Sequence, residues 1–587
     1  MFSHFSNCIA SCKKPEYPVY QNECDVFQLP IYYLEAKQKL RHTIKTDLEL
    51  LDLSDNSLYN HILSSDKTPS TKLITKWGEY YTTNKKFLKE YQYFLKNYKM
   101  STTNKGEEYI KNIKTIEKIL LELKNETGFY EKYNYVDIEQ FKFLNNSALI
   151  LQGLTIYNLT SPSLSFIIPI FMLLLPFFIL KAQKQSITFE TYAVSLMSVF
   201  KNHILGQLIS KFNQADTAQK IFLLFSFGFY FFSIYQNFKS CYQFYKNIYK
   251  IRNYLKQIIT FIENSINNIT TIQIHSKPSV YKFLNKNEEV KNTLLTFKSY
   301  LLEIDFTSFK ITEFAKIGVA LKCFYELYEN VNYQNALYYS LDLHHYLLNI
   351  ENIQTNLKSE KLNFCNFTNN TTCFKDAFFA GLIHDTPIAN SFSLDKNILI
   401  TGPNAAGKTT ILKTTLFNII LSQQLGLGCY KSASINVYKY IHSYLNIPDT
   451  SQRDSLFQAE ARRCKEILDC LLENNRPDDR HFCIFDELYS GTNPSEAIAS
   501  AYSFLTFISE HTNLNFLLTT HYTSLCNLLD TNKCIINKHM EIINDQNTYK
   551  LSSGISTIKG GIKVLEELKY NQTIIDGAKS IINQLSI

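Results

Sequence analysis

The chain has 587 residues, 45% of them apolar, with 60 Lys and Arg against 53 Asp and Glu for a formal net charge of +7. That length exceeds one ordinary domain, and that apolar fraction excludes wholesale disorder. So mild a charge admits an anionic partner such as nucleic acid or phospholipid without demanding one.

Thirteen cysteines follow no repeating spacing, and the closest pair, Cys8 and Cys12, lacks a matching second pair, so no zinc site can be read from them. Reduced thiols of a cytosolic protein are the plain interpretation. The N-terminus lacks the basic-then-apolar pattern of a cleaved signal peptide.

In chain order, residues 1–28 read as a short leader. Residues 29–160 read as mostly helical, with the polar stretch Ser101–Asn104 as a loop. Two uncharged runs follow: Leu164–Leu180, LSFIIPIFMLLLPFFIL, and Ile221–Tyr235, IFLLFSFGFYFFSIY. Lys181 closes the first, and Lys220 and Lys239 flank the second. A membrane-crossing helix needs roughly 20 predominantly apolar residues, about 17 at the least. The first run meets that limit, although Pro169 and Pro176 interrupt its hydrogen-bond ladder. Residues 161–240 are therefore expected to form an apolar helical hairpin that crosses a membrane; a pair of buried core helices is the alternative.

Residues 241–373 continue in a helical pattern. Ile248, Ile251, Leu255, Ile258, Ile262 and Ile266 recur at helical spacing and predict one apolar packing stripe. His344 and His345 read as surface histidines. From residue 374 to 587 strand-like and helical runs alternate, the pattern of an α/β domain.

Within that domain, Ile398–Ile400 read as a buried strand, followed by Gly402-Pro403-Asn404-Ala405-Ala406-Gly407-Lys408-Thr409-Thr410 and a helical run. This is the full P-loop pattern in its strand–loop–helix context. Glycines let successive N–H groups turn toward phosphate oxygens, and a helix start near Lys408 adds its positive dipole end. Lys408 is placed to reach the β- and γ-phosphates of ATP, and the Thr409 hydroxyl to ligate Mg2+.

A second strand, His481–Phe485, ends on Asp486-Glu487. Asp486 is placed to hold the Mg2+, and Glu487 to orient or deprotonate the attacking water. A third strand, Phe516–Leu518, runs into Thr519-Thr520-His521, whose histidine is placed to sense the γ-phosphate. Asp478-Asp479-Arg480 reads as a solvated loop, and Arg462 and Arg463 as solvated helix charges.

These residues resemble the MutS family of ATPases, relatives of the ABC superfamily. TGPNAAGKTT at Thr401–Thr410 is similar to the family's TGPNMGGKST, DELYSGTNPSEA at Asp486–Ala497 to its DE-x-x-x-GT segment, and TTHY at Thr519–Tyr522 to its ATHY or ATHF. Ser455-Leu-Phe457-Gln-Ala-Glu460 is similar to the family's ST-F-x-x-E, whose serine acts across a dimer on the partner's nucleotide. Gly554-Ile-Ser556, Lys559-Gly-Gly561-Ile562 and Ile574–Ala578 resemble the closing dimerisation segment. Upstream, Thr46–Leu50 looks like the entry to the family's core domain, and the helices after Lys239 like its lever.

The resemblance implies a fold: an α/β P-loop NTPase domain of the ABC/MutS type, preceded by a mostly helical core and lever with the apolar hairpin. It implies Mg2+-dependent hydrolysis of ATP to ADP and phosphate. Glu487, His521 and, from the opposite subunit, Ser455 would be the catalytic groups, in a homo- or heterodimer of MutS-like subunits. Double-stranded DNA and mismatch repair are what the family implies. The short leader leaves no room for a mismatch-reading domain, and Phe129-Tyr130-Glu131 matches the family's Phe-x-Glu wedge only by coincidence. No nuclease domain is expected after the ATPase. The arrangement looks most like truncated, membrane-associated MutS-like proteins of bacteria and large DNA viruses, with the ATPase domain in the cytosol. The rival reading is a membrane tethering or remodelling ATPase without nucleic acid. An ABC transporter half fits less well, because the LSGGQ-type signature is absent.

Overall fold

The computed structural model describes residues 26–51, 57–63, 71–99, 106–182, 184, 187–202, 206–208, 212, 216–304, 316–445, 447, 455–544, 546–556, 565–566 and 568–585. Cys8, Cys12, the loop Ser101–Asn104 and the stretch Lys559–Ile562 lie outside the described residues. Two compact units make up the chain: Met1–Lys105 with Asn268–Glu288 and Asp342–Ile587, and Gly106–Asn267 with Glu289–Leu341.

The first unit is built on two larger sheets and a short two-stranded one. Strands β1 (Lys37–Lys39) and β2 (Tyr80–Thr82) pair antiparallel. Strands β3 (Asn363–Phe367), β4 (Cys373–Ala377), β5 (Asn390–Ser393), β7 (Leu427–Gly428) and β8 (Ser432–Ile435) form a sheet ordered β5-β4-β8-β3-β7. The central sheet runs β13-β12-β6-β11-β10-β9, from β6 (Asn397–Thr401), β9 (Tyr440–Tyr444), β10 (His481–Asp486), β11 (Leu514–Thr520), β12 (Ile535–Ile543) and β13 (Gln546–Ser553). All its neighbours are parallel except the terminal β12–β13 pair.

Ile398, Leu399, Ile400, Phe482, Cys483, Ile484, Phe485, Phe516, Leu517 and Leu518 are fully buried, as a parallel sheet covered on both faces requires. The register pairs Asp486 with Thr519 and Thr520 with Thr401, so the carboxyl ends of β6, β10 and β11 reach one edge together. That edge is where open α/β sheets bind ligands.

Helix α13 (Lys408–Leu425) leaves β6 through the P-loop and is buried along most of its length. Its far end is polar yet satisfied. Gln424 Nε2 donates to the carbonyls of Trp77 (2.7 Å) and Tyr80 (2.9 Å), and its Oε1 accepts from Tyr59 Oη at 2.8 Å. Gln423 exchanges two hydrogen bonds with the backbone of Tyr438. A buried amide costs stability unless its donors and acceptor are met, so these contacts tie the N-terminal segment to this helix. Asp47, in the Thr46–Leu50 segment, likewise accepts from Ser443 Oγ on β9 at 2.6 Å.

The second unit is helical. It holds α5 (Glu107–Asn125), α6 (Phe129–Tyr133), α7 (Ala148–Ala182), α8 (Phe189–Asn202) and α11 (Ile317–Glu329), with most of α9 (Thr217–His275). Phe129 is buried among aromatic rings: it stacks on Tyr328 at 3.6 Å between centroids and lies against Tyr135 and Phe324. A ring so enclosed packs the core and cannot wedge into a base stack. Ile248, Ile251, Leu255, Ile258 and Ile262 are buried as the stripe predicts, and Ile266 is half-buried.

Both apolar runs are helical. The run Leu164–Leu180 lies in α7, which continues through Pro169 and Pro176, and Ile221–Tyr235 lies in α9. Helix α8 intervenes between them, and Cys241 Sγ on α9 reaches the Leu159 carbonyl on α7 at 3.6 Å. Of the described residues, one helix, Thr217–His275, is long and apolar enough to cross a membrane, and only 6% of its apolar window is buried.

Several expectations need correction. The boundaries at 160/161 and 240/241 fall inside α7 and α9, and the boundary at 373/374 cuts β4. Helical periodicity continues smoothly across such points and carries no mark of which unit a turn packs in. His344 and His345 are buried, not surface groups, and burial pushes the His344 imidazole down to about 3. Asp479 is also buried, ion-paired to Lys439 at 2.7 Å, while Arg480 lies 4.9 Å over the Tyr438 ring. Arg463 on the following α14 (Leu456–Glu473) is half-buried and reaches the Ser443 carbonyl at 3.4 Å.

Candidate active site

Strand β6 ends at Thr401 and the chain turns through residues 402–407 into α13. Gly407, the residue before the helix, has φ +92°, a left-handed conformation that a side chain would strain. A Cβ there would also lie 3.1 Å from the Tyr549 ring. The turn leaves the first N–H groups of α13 without helical partners beside the cleft, a setting suited to anionic oxygens.

Lys408 is buried at the helix start. Its Nζ donates to the carbonyls of Gly402 (2.9 Å) and Pro403 (3.1 Å) and lies 3.2 Å from His521 Nε2. Burial lowers its pKa, while the charges of Glu487 and Asp486 act the other way. An ammonium held this way, facing a cleft, fits an anionic ligand.

Asp486 closes β10. Its Oδ2 accepts from Thr409 Oγ1 at 2.8 Å, and its Oδ1 accepts from Thr519 Oγ1. A carboxylate and a hydroxyl at this separation offer two hard oxygens to one small cation, which fits Mg2+. Thr519 joins the candidate site through this hydrogen bond, a contact that motif reading passed over. The signal was its place in the TTHY segment, one strand from Asp486 in direct register.

Glu487 follows at φ +54°, its N–H donating to the Thr519 carbonyl at 3.0 Å. Its Oε1 lies 2.8 Å from His521 Nε2. That hydrogen bond is the main reason its pKa falls below the ordinary carboxylate value; burial opposes it, and the charges of His521 and Lys408 add to it. One Nε2 cannot both donate to Glu487 and accept from Lys408. The shorter contact and the lysine's two carbonyl partners assign the proton to Nε2, donating to Glu487. Glu487 is thus an ionised acceptor at neutral pH, held by His521.

Of these residues, Lys408, Thr409 and Glu487 open onto a cleft of about 470 Å3. Asn404–Thr410 and Glu487 form one wall; Phe378, Phe379, Leu382, Ile388, Met540 and Tyr549 supply apolar and aromatic faces. That lining suits a flat heterocycle beside a polyphosphate. Tyr549 was not foreseen, because it comes from the edge hairpin β12–β13; its carbonyl accepts from Asn390 Nδ2 at 3.0 Å. Ser455 stands apart from this lining. It is the exposed N-cap of α14, in a reciprocal capping box with Gln458.

Another cluster has metal-ligand spacing: His442, Cys470 and His481 place one donor atom each within 4.8 Å of one another, alone in this among the described residues. Hydrogen bonds account for it without a metal. Arg41 Nη1 donates to His442 Nδ1 (3.2 Å) and Nη2 to Cys470 Sγ (3.1 Å). His442 Nε2 then donates to His481 Nδ1 (3.2 Å), whose Nε2 faces the Asn474 carbonyl at 3.3 Å. The direction of donation is set by the guanidinium, which cannot accept, and its charge would repel a cation.

Comparison with known proteins agrees with this geometry. Residues 398–586 match the family described as MutS domain V. The chain is 29% identical over 227 residues to "Endonuclease MutS2" of Staphylococcus saprophyticus, covering 37% of this chain and 28% of that protein. It is 30% identical over 224 residues to "Endonuclease MutS2" of Staphylococcus haemolyticus, with 37% and 28% covered. To "DNA mismatch repair protein MutS" of Leuconostoc citreum it is 28% identical over 207 residues, with 34% and 23% covered. The chain thus spans about a quarter of the length of these relatives. The C-terminal α/β domain is similar to a MutS-type P-loop ATPase domain.

Proposed function

We propose that the chain is a MutS-type ATPase that binds MgATP, hydrolyses it to ADP and phosphate, and works as a dimer. The observation that carries this reading is the meeting of Lys408, Thr409, Asp486, Glu487 and His521 at one sheet edge, with Thr409 Oγ1 2.8 Å from Asp486. ATP supplies the phosphoanhydride and Mg2+ the positive charge that offsets its oxygens. Lys408 and the N–H groups of residues 404–409 bind the phosphate anions. Thr409 and Asp486 hold the cation. Glu487, ionised and fixed by His521, orients a water through a carboxylate oxygen; a depressed pKa makes it better at aligning the water than at removing its proton.

Ser455 lies on the exposed N-cap of a helix, outside the cleft lining of its own chain. That placement favours action on a partner's nucleotide, so that two subunits complete two sites. Duplex DNA is the ligand we infer from the names of the relatives. A second reading, attachment to a membrane, is favoured by the apolar and little-buried first part of α9, where Phe222, Phe225 and Phe229 are exposed.

The test is steady-state ATPase activity of detergent-purified protein, with and without matched and mismatched duplex DNA. Magnesium-dependent turnover that Lys408→Ala abolishes is expected. Turnover unchanged by that substitution would refute the assignment. Stimulation by DNA places the protein among nucleic-acid clamps, whereas activity indifferent to DNA but raised by liposomes selects the membrane reading.

A further inference from the structure

We propose that Glu460 is a positioning residue for hydrolysis, whose buried carboxylate ties the start of α14, capped by Ser455, to the loop that carries Glu487. This rests on the ATPase reading above. Glu460 stands one and a half turns into α14 and is only 3% exposed. Its Oε1 accepts from Ser490 N (3.0 Å) and Ser490 Oγ (2.8 Å), and its Oε2 from Gly491 N (3.1 Å). Burying a carboxylate is costly unless donors replace its water, and here three donors come from one short loop.

That loop needs holding. Glu487 and Tyr489 both adopt left-handed backbone conformations, φ +54° and +58°, without being glycine. Such residues persist only where their surroundings over-determine them. Upstream, Glu487 N is fixed to Thr519 O; downstream, the fixing groups are the two carboxylate oxygens of Glu460. Tyr444 Oη, which also faces Glu460, accepts from Tyr489 N at 3.3 Å.

Contact with α14 is tight as well as polar. A Cβ on Gly491 would lie 2.6 Å from Phe457 N, so the first turn of α14 rests directly on the loop backbone. The Phe457 and Tyr489 rings pack at 5.6 Å. A shift of Ser455 at the helix start is therefore passed to Glu487 through Glu460, Ser490 and Gly491, and the carboxylate that aligns water depends on where α14 sits.

The experiment measures kcat for MgATP and, separately, Kd for a non-hydrolysable ATP analogue. Glu460→Gln keeps the shape but turns an amide N–H2 against a donor. We expect kcat to fall about tenfold to a hundredfold while Kd changes less than about twofold. Combined with Ser455→Ala, the loss should exceed that of the worse single variant by no more than about threefold, because the two act as one unit. Wild-type kcat in Glu460→Gln, parallel losses in kcat and Kd, or full multiplication in the double variant would each overturn the inference. If Glu460→Gln does not fold, Ser490→Ala, on an exposed residue, removes one donor and should lower kcat about two- to fivefold; no change overturns the inference. A wild-type protein without MgATP turnover sinks the ATPase reading itself, and that result appears before any variant is compared.

Discussion

The two units differ in what they add to an apolar core. In the first, polar side chains meet inside: Lys408 on two carbonyls, Asp486 between two threonine hydroxyls, Glu460 on three loop donors. In the second, aromatic rings fill the core around Phe129, and the apolar side chains Phe222, Phe225 and Phe229 stay uncovered. Where charges are buried, geometry is strict, because each unmet donor or acceptor costs on the order of 1–3 kcal/mol. Where hydrocarbon is buried, many sequences serve, because the driving force follows area and has no direction. A functional site is thus written in few residues at narrow spacing, and a helical scaffold in many residues at loose spacing.

Four substitutions or titrations test this contrast. Glu487→Gln should lower ATP turnover about 10²–10⁴-fold while nucleotide binding survives, as stopped-flow hydrolysis and filter binding would read. Turnover equal to wild type would remove Glu487 from the chemistry. Phe129→Ala should lower the stability of the helical unit by about 3–5 kcal/mol in urea denaturation, since it empties the centre of an aromatic stack. A loss under about 1 kcal/mol would mean that the ring is not core.

Acid should act on the polar unit. Burial holds the His481 imidazole down to about 4 and that of His442 well below its ordinary value, whereas both return to about 6.5 on unfolding. The unfolded chain therefore binds more protons between these values. The stability due to His481 is complete above pH 6.5 and is lost as pH falls through 6.5 toward 4, a change on the order of 3 kcal/mol. Thermal melts from pH 7.5 to 5 should show the decline, and His481→Gln should flatten it; an equal slope in the variant would assign the acid loss to other groups. The smallest effect belongs to Phe225→Ser in the uncovered stretch of α9. Loss of a side chain 73% exposed should change stability by less than about 0.5 kcal/mol while reducing partition into liposomes. A large drop in melting temperature would show the ring to be packed instead.

The residues of the candidate site were legible because phosphate chemistry ties residue types to short distances along the chain. Lys408 and Thr409 are neighbours, Asp486 and Glu487 are neighbours, and each pair follows a recognisable buried strand. The apolar stripe of α9 was equally readable, since period 3.6 is written in its isoleucines. Thr519 and Tyr549 were passed over because their places at the site come from strand register and a hairpin edge. Arg41 and His442 stand 401 positions apart, and no local pattern joins them.

Residue order alone was enough for the P-loop, the three strands that feed the site and the existence of long apolar helices. Folding decided the rest. It placed the Glu460 carboxylate on the Glu487 loop, buried His344 and Asp479 against expectation, and drew unit boundaries through helices that run without a break. The reason is one of range. Local spacing sets backbone conformation and the identity of chemically demanding groups, whereas burial and hydrogen-bond pairing depend on partners that the chain brings together from tens to hundreds of residues away.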